Sequence, residues 1–226
     1  MRRKIVFPPV ETASEDGLVA VGGDLEVDTL LEAYRRGIFP WPISTYPLNA
    51  DIPHTWFSPD PRGVLDFADL HVPRSFLKFL RKTPFHVTFN RAFADVIVQC
   101  ARTPRKDQPG TWITPDIMRS YINLFERGHA YSVDVWRDRQ LVAGMYGVVI
   151  GGFVSGESMF THEDNASKQG LYTLVHHLQE RGITWLDTQM VTEVVRQFGG
   201  GYIPRRRFLR RLEVCDWSRP RETIFP

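Results

Sequence analysis

Two stretches of the chain carry side chains that can do chemistry. Residues 153–168 read FVSGESMFTHEDNASK. The opening has the pattern of a strand and the close that of a helix start. Glu157 lies in an apolar run framed by glycines, where a carboxylate is costly unless something pairs with it. Residues 183–190 read ITWLDTQM. In a strand, Ile183, Trp185, Asp187 and Gln189 share one face, which starts apolar and ends in a carboxylate and an amide. Polar groups at the carboxyl end of a strand that follows a helix are well placed for a site. Asp187 is equally placed to cap the next helix, and the sequence leaves both roles open. On the preceding strand Phe153, Ser155, Glu157 and Met159 share a face. If the two strands are neighbours, Glu157 approaches Asp187 and Gln189, while Met145, Met159 and Leu171 wall an apolar cavity. Methionine suits an adaptable pocket and also suits ordinary core.

Other candidates fall away. His176 and His177 are adjacent on a helix, so they point to different sides. Ser167-Lys168 lacks a hydrolase context. The glycines of AVGGDL are not followed by the Lys-Ser/Thr of a phosphate loop. Cys100 falls on the apolar side of a helix, and with Cys215 it makes neither a disulfide framework nor a metal spacing. A reducing cytoplasm fits this use of cysteine. No apolar run approaches the length of a membrane span, and the basic N-terminus lacks a signal-peptide core.

The elements that must position these groups can be read from periodicity. The pattern predicts a helix over 29–36, with Asp28 at its start and Gly37 at its end. Residues 37–63 are too rich in proline for helix or central strand and too aromatic for a disordered linker. They read as an ordered, irregular connection. A helix over 73–82, the strand FHVTF, a helix over 91–101 capped by Asn90, and a helix starting at Thr114-Pro115 and ending at Gly128 follow. The period then changes to two through AYSVDVW, LVAGMYGVVI and FVSGESMF, an antiparallel meander. A helix over 167–181 carries Leu171, Leu174, Val175 and Leu178 as its apolar stripe and stops at Gly182. The strand ITWLDTQM, the short helix TEVVRQF and an extended YIPRRRFL complete the order. The class is α+β with a central mixed sheet. The element order resembles GCN5-related N-acetyltransferases, as an analogy of order alone. Their coenzyme A pyrophosphate loop is missing, because the corresponding position reads DNASKQGL.

Net charge is only +2, but basic residues cluster in RRK at the start, PRSFLKFLRK at 73–82, ARTPRK at 101–106 and PRRRFLRRL at 204–212. Arg74, Lys78, Arg81 and Lys82 come to one side of a helix, where they form a candidate nucleic-acid phosphate surface. Solvated helix faces are the other reading of such clusters.

GLVAVGGDL, LLEAYRRGIFPW, WFSPDPRGVL, TWITPDIM, LVAGMYGV, GESMF, NASK, LDTQ and IPRRRF together resemble the motifs of the leucyl/phenylalanyl-tRNA–protein transferase family. They occur in the family's order from about residue 17 to 210. The resemblance implies a small N-terminal domain, drawn at 1–62, and an acyltransferase-like catalytic domain over 63–226. It implies a cytoplasmic bacterial enzyme that moves Leu or Phe from its tRNA to the N-terminal amine of proteins beginning with Arg or Lys. The product is marked for degradation. Neither metal nor cofactor is implied. The family's catalytic residues map onto Asp187 and Gln189, and its substrate-binding residues onto Glu157, Met145, Met159, Trp41 and Trp112. One departure borders the site: after LDTQ the family commonly has a His and a Leu-Gly pair, where this chain has MVTEVVRQFGG.

The expected reaction is aminolysis of an activated ester. Asp187, oriented by Gln189, is expected to accept or relay the amine proton or to hold the amine. Glu157 suits an ammonium group or a ribose hydroxyl of the donor. A transferase of the same family with other specificity, a coenzyme A-dependent N-acetyltransferase and a non-enzymatic RNA-binding module are the rivals. The last explains the basic clusters but not the carboxylates beside an apolar cavity.

Overall fold

The computed structural model describes residues 5–41, 54–103 and 111–225. Part of the proline-rich connection, 42–53, and part of ARTPRK therefore lie outside the described residues, as does the opening RRK. Leu30, Leu31, Ala33 and Tyr34 recur at helical spacing and form the buried face of α1 (Val27–Arg35). Asp28 sits inside its first turn rather than at the cap. The entry is held from further upstream, where the Asp24 carboxylate accepts from the Glu26 N–H and the Thr29 hydroxyl. Gly37 closes the helix at a φ of 73°, a conformation that favours glycine. Beside α1 lies a small antiparallel sheet of β1 (Leu18–Val21), β2 (Phe39–Pro40) and β3 (Thr55–Phe57), with β3 central.

The larger sheet contains β5 (Phe85–Phe89), β6 (Ala130–Arg137), β7 (Gln140–Ile150), β8 (Phe153–Val154) and β9 (Ser158–Thr161). β6 lies between β5 and β7, and β7 pairs with both β8 and β9, all antiparallel. The period of two in the sequence becomes two buried faces. One packs on α3 (Phe93–Arg102), α4 (Pro115–Glu126) and the N-terminal unit, through residues such as Val96, Tyr121, Tyr146, Leu30 and Trp56. The other packs on α5 (Ala166–Gln179) through Tyr131, Val133, Met145, Leu171 and Leu174. The N-terminal unit shares its core with α3 and α4, so it is not a separate hydrophobic body.

A third sheet places β4 (Arg62–Asp66) between β10 (Trp185–Gln189) and β11 (Gly201–Ile203), again antiparallel. Strand pairs within each sheet are antiparallel, and a parallel bridge of Ser155 to Asp187 links the second sheet to the third. The α+β class holds, as do the meander and the Thr114 cap, whose hydroxyl accepts from the Ile117 N–H. Two further local expectations, besides the Asp28 cap, do not. Asn90, at a φ of 61°, does not cap α3; its side chain accepts from the Ser132 N–H instead. The expected extended end is extended only through β11, and then becomes α7 (Arg205–Glu213). Phe208 and Leu212, four residues apart, bury one side of this helix, and Pro204 occupies its N-cap. Between β4 and β5 runs α2 (Arg74–Leu80), and α6 (Glu193–Gln197) joins β10 to β11.

Candidate active site

Both carboxylates picked out by the sequence sit at irregularities, and the irregularities face each other. Val149 on β7 opposes Val154 on β8, and Tyr146 opposes Ser158 on β9. Residues 155–157 therefore stand opposite 147 and 148, one residue in excess. The strand bulges, and the bulge re-aims Ser155 and Glu157. Gly147 is required here, because a Cβ would lie 1.8 Å from the Ser155 carbonyl oxygen. On β10 the register against β4 slips between Asp187 and Gln189, and Gln189 adopts a φ of 52°. The two bulges are tied together by the Ser155–Asp187 bridge and by the Gly156 N–H donating to the Asp187 carbonyl at 2.8 Å.

Glu157 is gripped by neutral donors. The Ser155 hydroxyl donates to Oε1 at 2.8 Å and the Gln189 amide at 2.7 Å, while the Tyr121 hydroxyl donates to Oε2 at 3.3 Å. Tyr121 in turn hydrogen-bonds Tyr34 of α1. Burial pushes Glu157 up to about 7; hydrogen bonds from Ser155 and Tyr34 oppose the rise, and the nearby Asp187 charge adds to it. Burial beside Glu157 also raises Tyr34 and Tyr121 well above the usual phenol range, so both stay neutral donors. By residue surface Glu157 is of intermediate burial.

Asp187 is different. It is fully buried, and its two oxygens accept from Arg62 Nε at 2.9 Å and Arg62 Nη2 at 2.7 Å. Its Oδ1 also accepts from the Gln189 backbone N–H at 3.0 Å. The sequence brought Asp187, Gln189 and Glu157 together correctly. Asp187 does not cap α6, a role taken by Thr192. Met145 and Met159 oppose each other across β7 and β9, and both belong to the apolar cluster that holds Leu171 and Leu186.

Two regions of the chain match known families. The sequence profile of the leucyl/phenylalanyl-tRNA protein transferase family matches residues 64–213, and the profile of that family's N-terminal domain matches residues 23–60. The chain belongs to the leucyl/phenylalanyl-tRNA–protein transferase family. It is 47% identical over 210 residues to the leucyl/phenylalanyl-tRNA–protein transferase of Syntrophotalea carbinolica, covering 93% of this chain and 89% of that one. It is 48% identical over 209 residues to the transferase of the same name from Azotobacter vinelandii, covering 92% and 89%. Among solved structures it is similar to L-PGS from Bacillus licheniformis, with a TM-score of 0.41 and 13% identity over 74% of this chain and 52% of that one. It is also similar to a GCN5-related N-acetyltransferase from Kribbella flavida, with a TM-score of 0.37 and 13% identity over 79% and 59%.

The other expected site residues are placed as follows. Trp41 and Trp112 stack with centroids 5.2 Å apart and planes 21° from parallel, joining the N-terminal unit to the loop before α4. Arg74, Lys78, Arg81 and Lys82 are all exposed on or just after α2. Among the described residues no helix is long and apolar enough to cross a membrane. Sequence reasoning placed Ser155 on the face of Glu157 without giving it a role, and missed Arg62, Tyr34 and Tyr121. Two of these carried a weak signal. Arg62 heads an apolar strand, GVLDF, and Tyr121 lies in the buried stripe of α4 with Ile117 and Leu124.

Proposed function

We propose that this chain transfers leucine or phenylalanine from aminoacyl-tRNA to the N-terminal amine of proteins that begin with Arg or Lys, in the cytoplasm, marking them for degradation. Family membership supports the reaction class. The observation that carries the chemistry is Glu157, a carboxylate with a value near 7, set among donors that hold it in place. A general base is most effective when its pKa lies near the working pH.

In this reading the neutral α-amine of the acceptor attacks the ester carbonyl of the donor. The C–N bond forms, the ester C–O bond breaks, and one proton leaves the nitrogen for Glu157. Glu157 returns the proton to the departing ribose oxygen. The Gln189 amide orients Glu157, and Asp187 orients Gln189, because the Asp187 oxygens are already engaged by Arg62 and the Gln189 N–H. Holding both substrates in attack geometry contributes roughly 7–11 kcal/mol. Met145 and Met159 receive the donor side chain. The Trp41–Trp112 stack receives the terminal adenosine, and the exposed cations of α2 meet the tRNA phosphates.

The test is transfer from individually charged tRNAs to peptides of varied first residue. Leu and Phe moving to Arg- and Lys-initiated peptides is the expected result. Transfer of other amino acids in preference, or indifference to the acceptor's first residue, would overturn the stated specificity.

A further inference from the structure

Arg62 is a fully buried cation that touches the strand carrying Asp187 and Gln189. Its guanidinium is 1% exposed. It makes two parallel hydrogen bonds to Asp187 and donates a third from Nη1 to the Gly37 carbonyl at 3.0 Å. It lies against two aromatic rings, with the guanidinium carbon 4.8 Å from the centroid of Phe39 and 4.3 Å from that of Phe208. These partners come from four places: the end of α1, β2, β10 and α7. Burying an arginine this completely is expensive, and a buried ion pair is weak evidence of stabilisation in itself. The geometry therefore needs a reason beyond stability.

The reason lies two residues further on. Gln189 holds a φ of 52°, a left-handed conformation that is strained for a residue with a side chain. The Asp187 Oδ1 bond to the Gln189 N–H supports that conformation. Without it the amide loses its aim at Glu157. The carboxylate can give this bond only if its plane is fixed, and the two-point grip of a guanidinium fixes a carboxylate plane where a point charge does not.

We propose that Arg62 is a positioning residue of the transfer reaction: its fork locks the plane of Asp187, Asp187 pins the Gln189 backbone, and the Gln189 amide thereby holds Glu157 where the reacting amine meets it. The same guanidinium ties this chain of contacts to the N-terminal unit through Gly37 and Phe39. The inference rests on the transferase reading above.

Arg62→Lys keeps the charge and removes the fork. In single-turnover transfer from charged tRNA to an acceptor peptide, it lowers the rate about 10–100-fold, the scale of a misplacement near 1 Å. KM for charged tRNA changes less than about threefold, because tRNA contacts lie elsewhere. Adding Arg62→Lys to Asp187→Asn costs less than about threefold more, since Arg62 acts through Asp187. A full rate in Arg62→Lys, or a double variant that multiplies both losses, overturns the proposal. If Arg62→Lys does not fold, as judged by its thermal transition, Phe208→Leu is used; it removes one ring wall and leaves the ion pair. A several-fold slower step at unchanged KM is then expected, and an unchanged step overturns the proposal. The parent chain is assayed first. No transfer by the parent is a failure of the transferase reading, whereas transfer by the parent together with an unaffected Arg62 variant is a failure of this one.

Discussion

Asp187 and Glu157 are carboxylates on facing bulges of two sheets, and they are held in opposite ways. Asp187 is met by a cation. Both oxygens are engaged by Arg62, and no solvent reaches it. Glu157 is met by hydroxyls and an amide, with no cation among the groups that move its titration. The groups facing it are Ser155 on its own strand, Tyr34 from α1, Tyr121 from α4, and Asp187 and Gln189 from β10. A paired charge becomes a fixed part of the frame, and an unpaired one becomes available to take up and release a proton near neutral pH. Two carboxyl groups with environments this different are the usual mark of divided labour in a site.

The largest expected effect breaks the paired side. Asp187→Leu leaves Arg62 buried without its partner and lowers stability by about 3–5 kcal/mol. Urea denaturation followed by circular dichroism measures this; a loss under about 1 kcal/mol would mean that the pair is not structural. Glu157→Gln has the opposite signature. It slows single-turnover transfer by ~10²–10⁴-fold while the fold persists. The sign of its stability effect follows from linkage. The folded value near 7 lies above the ordinary 4.5, so ionising Glu157 costs stability as pH rises through this range, and the cost is complete above 7. Glu157→Gln is therefore more stable than the parent at pH 8, by up to roughly 3 kcal/mol. The advantage shrinks as pH falls from 7 toward 4.5. Equal stability at both ends would contradict the raised value. In the parent, transfer rises with pH through a limb near 7, and that limb disappears in the Gln variant.

Smaller effects sharpen the contrast by acting away from it. Replacing Arg74, Lys78, Arg81 and Lys82 together with neutral residues leaves both carboxylates untouched. It weakens tRNA binding and flattens the salt dependence by roughly 3 log units per log unit of salt, if all four meet phosphates. An unchanged slope removes α2 from the interface. The smallest effect is that of Tyr34→Phe. It removes a hydroxyl that holds Glu157 down, so the limb near 7 moves upward. A pH–rate profile of this variant that overlays the parent's would detach α1 from the site.

Much of this was open to sequence reasoning. The helix from Thr114 to Gly128 follows from a cap hydroxyl, a proline and a left-handed glycine, all local and all observed. The meander follows from a period of two. Grouping Glu157 with Asp187 and Gln189 followed from which strand faces they share, and the 2.7 Å contact confirms the grouping. The motif set fixed the family, because many short matches in order are far more specific than any one. Local signals also had limits. Asn90 looked like a cap and serves β6 instead, and YIPRRRFL looked extended although Phe208 and Leu212 have the four-residue spacing of a helix.

What only the tertiary structure decided is who faces whom. Arg62 and Asp187 are 125 residues apart, and Tyr34 and Tyr121 are 87 apart. Periodicity tells which side of an element is buried, but not which element will cover it. That choice depends on two one-residue bulges, whose positions come from packing such as the Ser155 carbonyl against Gly147 rather than from any local preference. The chain therefore announced a carboxylate, an amide and a second carboxylate near one another. Which carboxylate is neutralised by a buried guanidinium, and which stays free to exchange a proton, was set when the sheets came together.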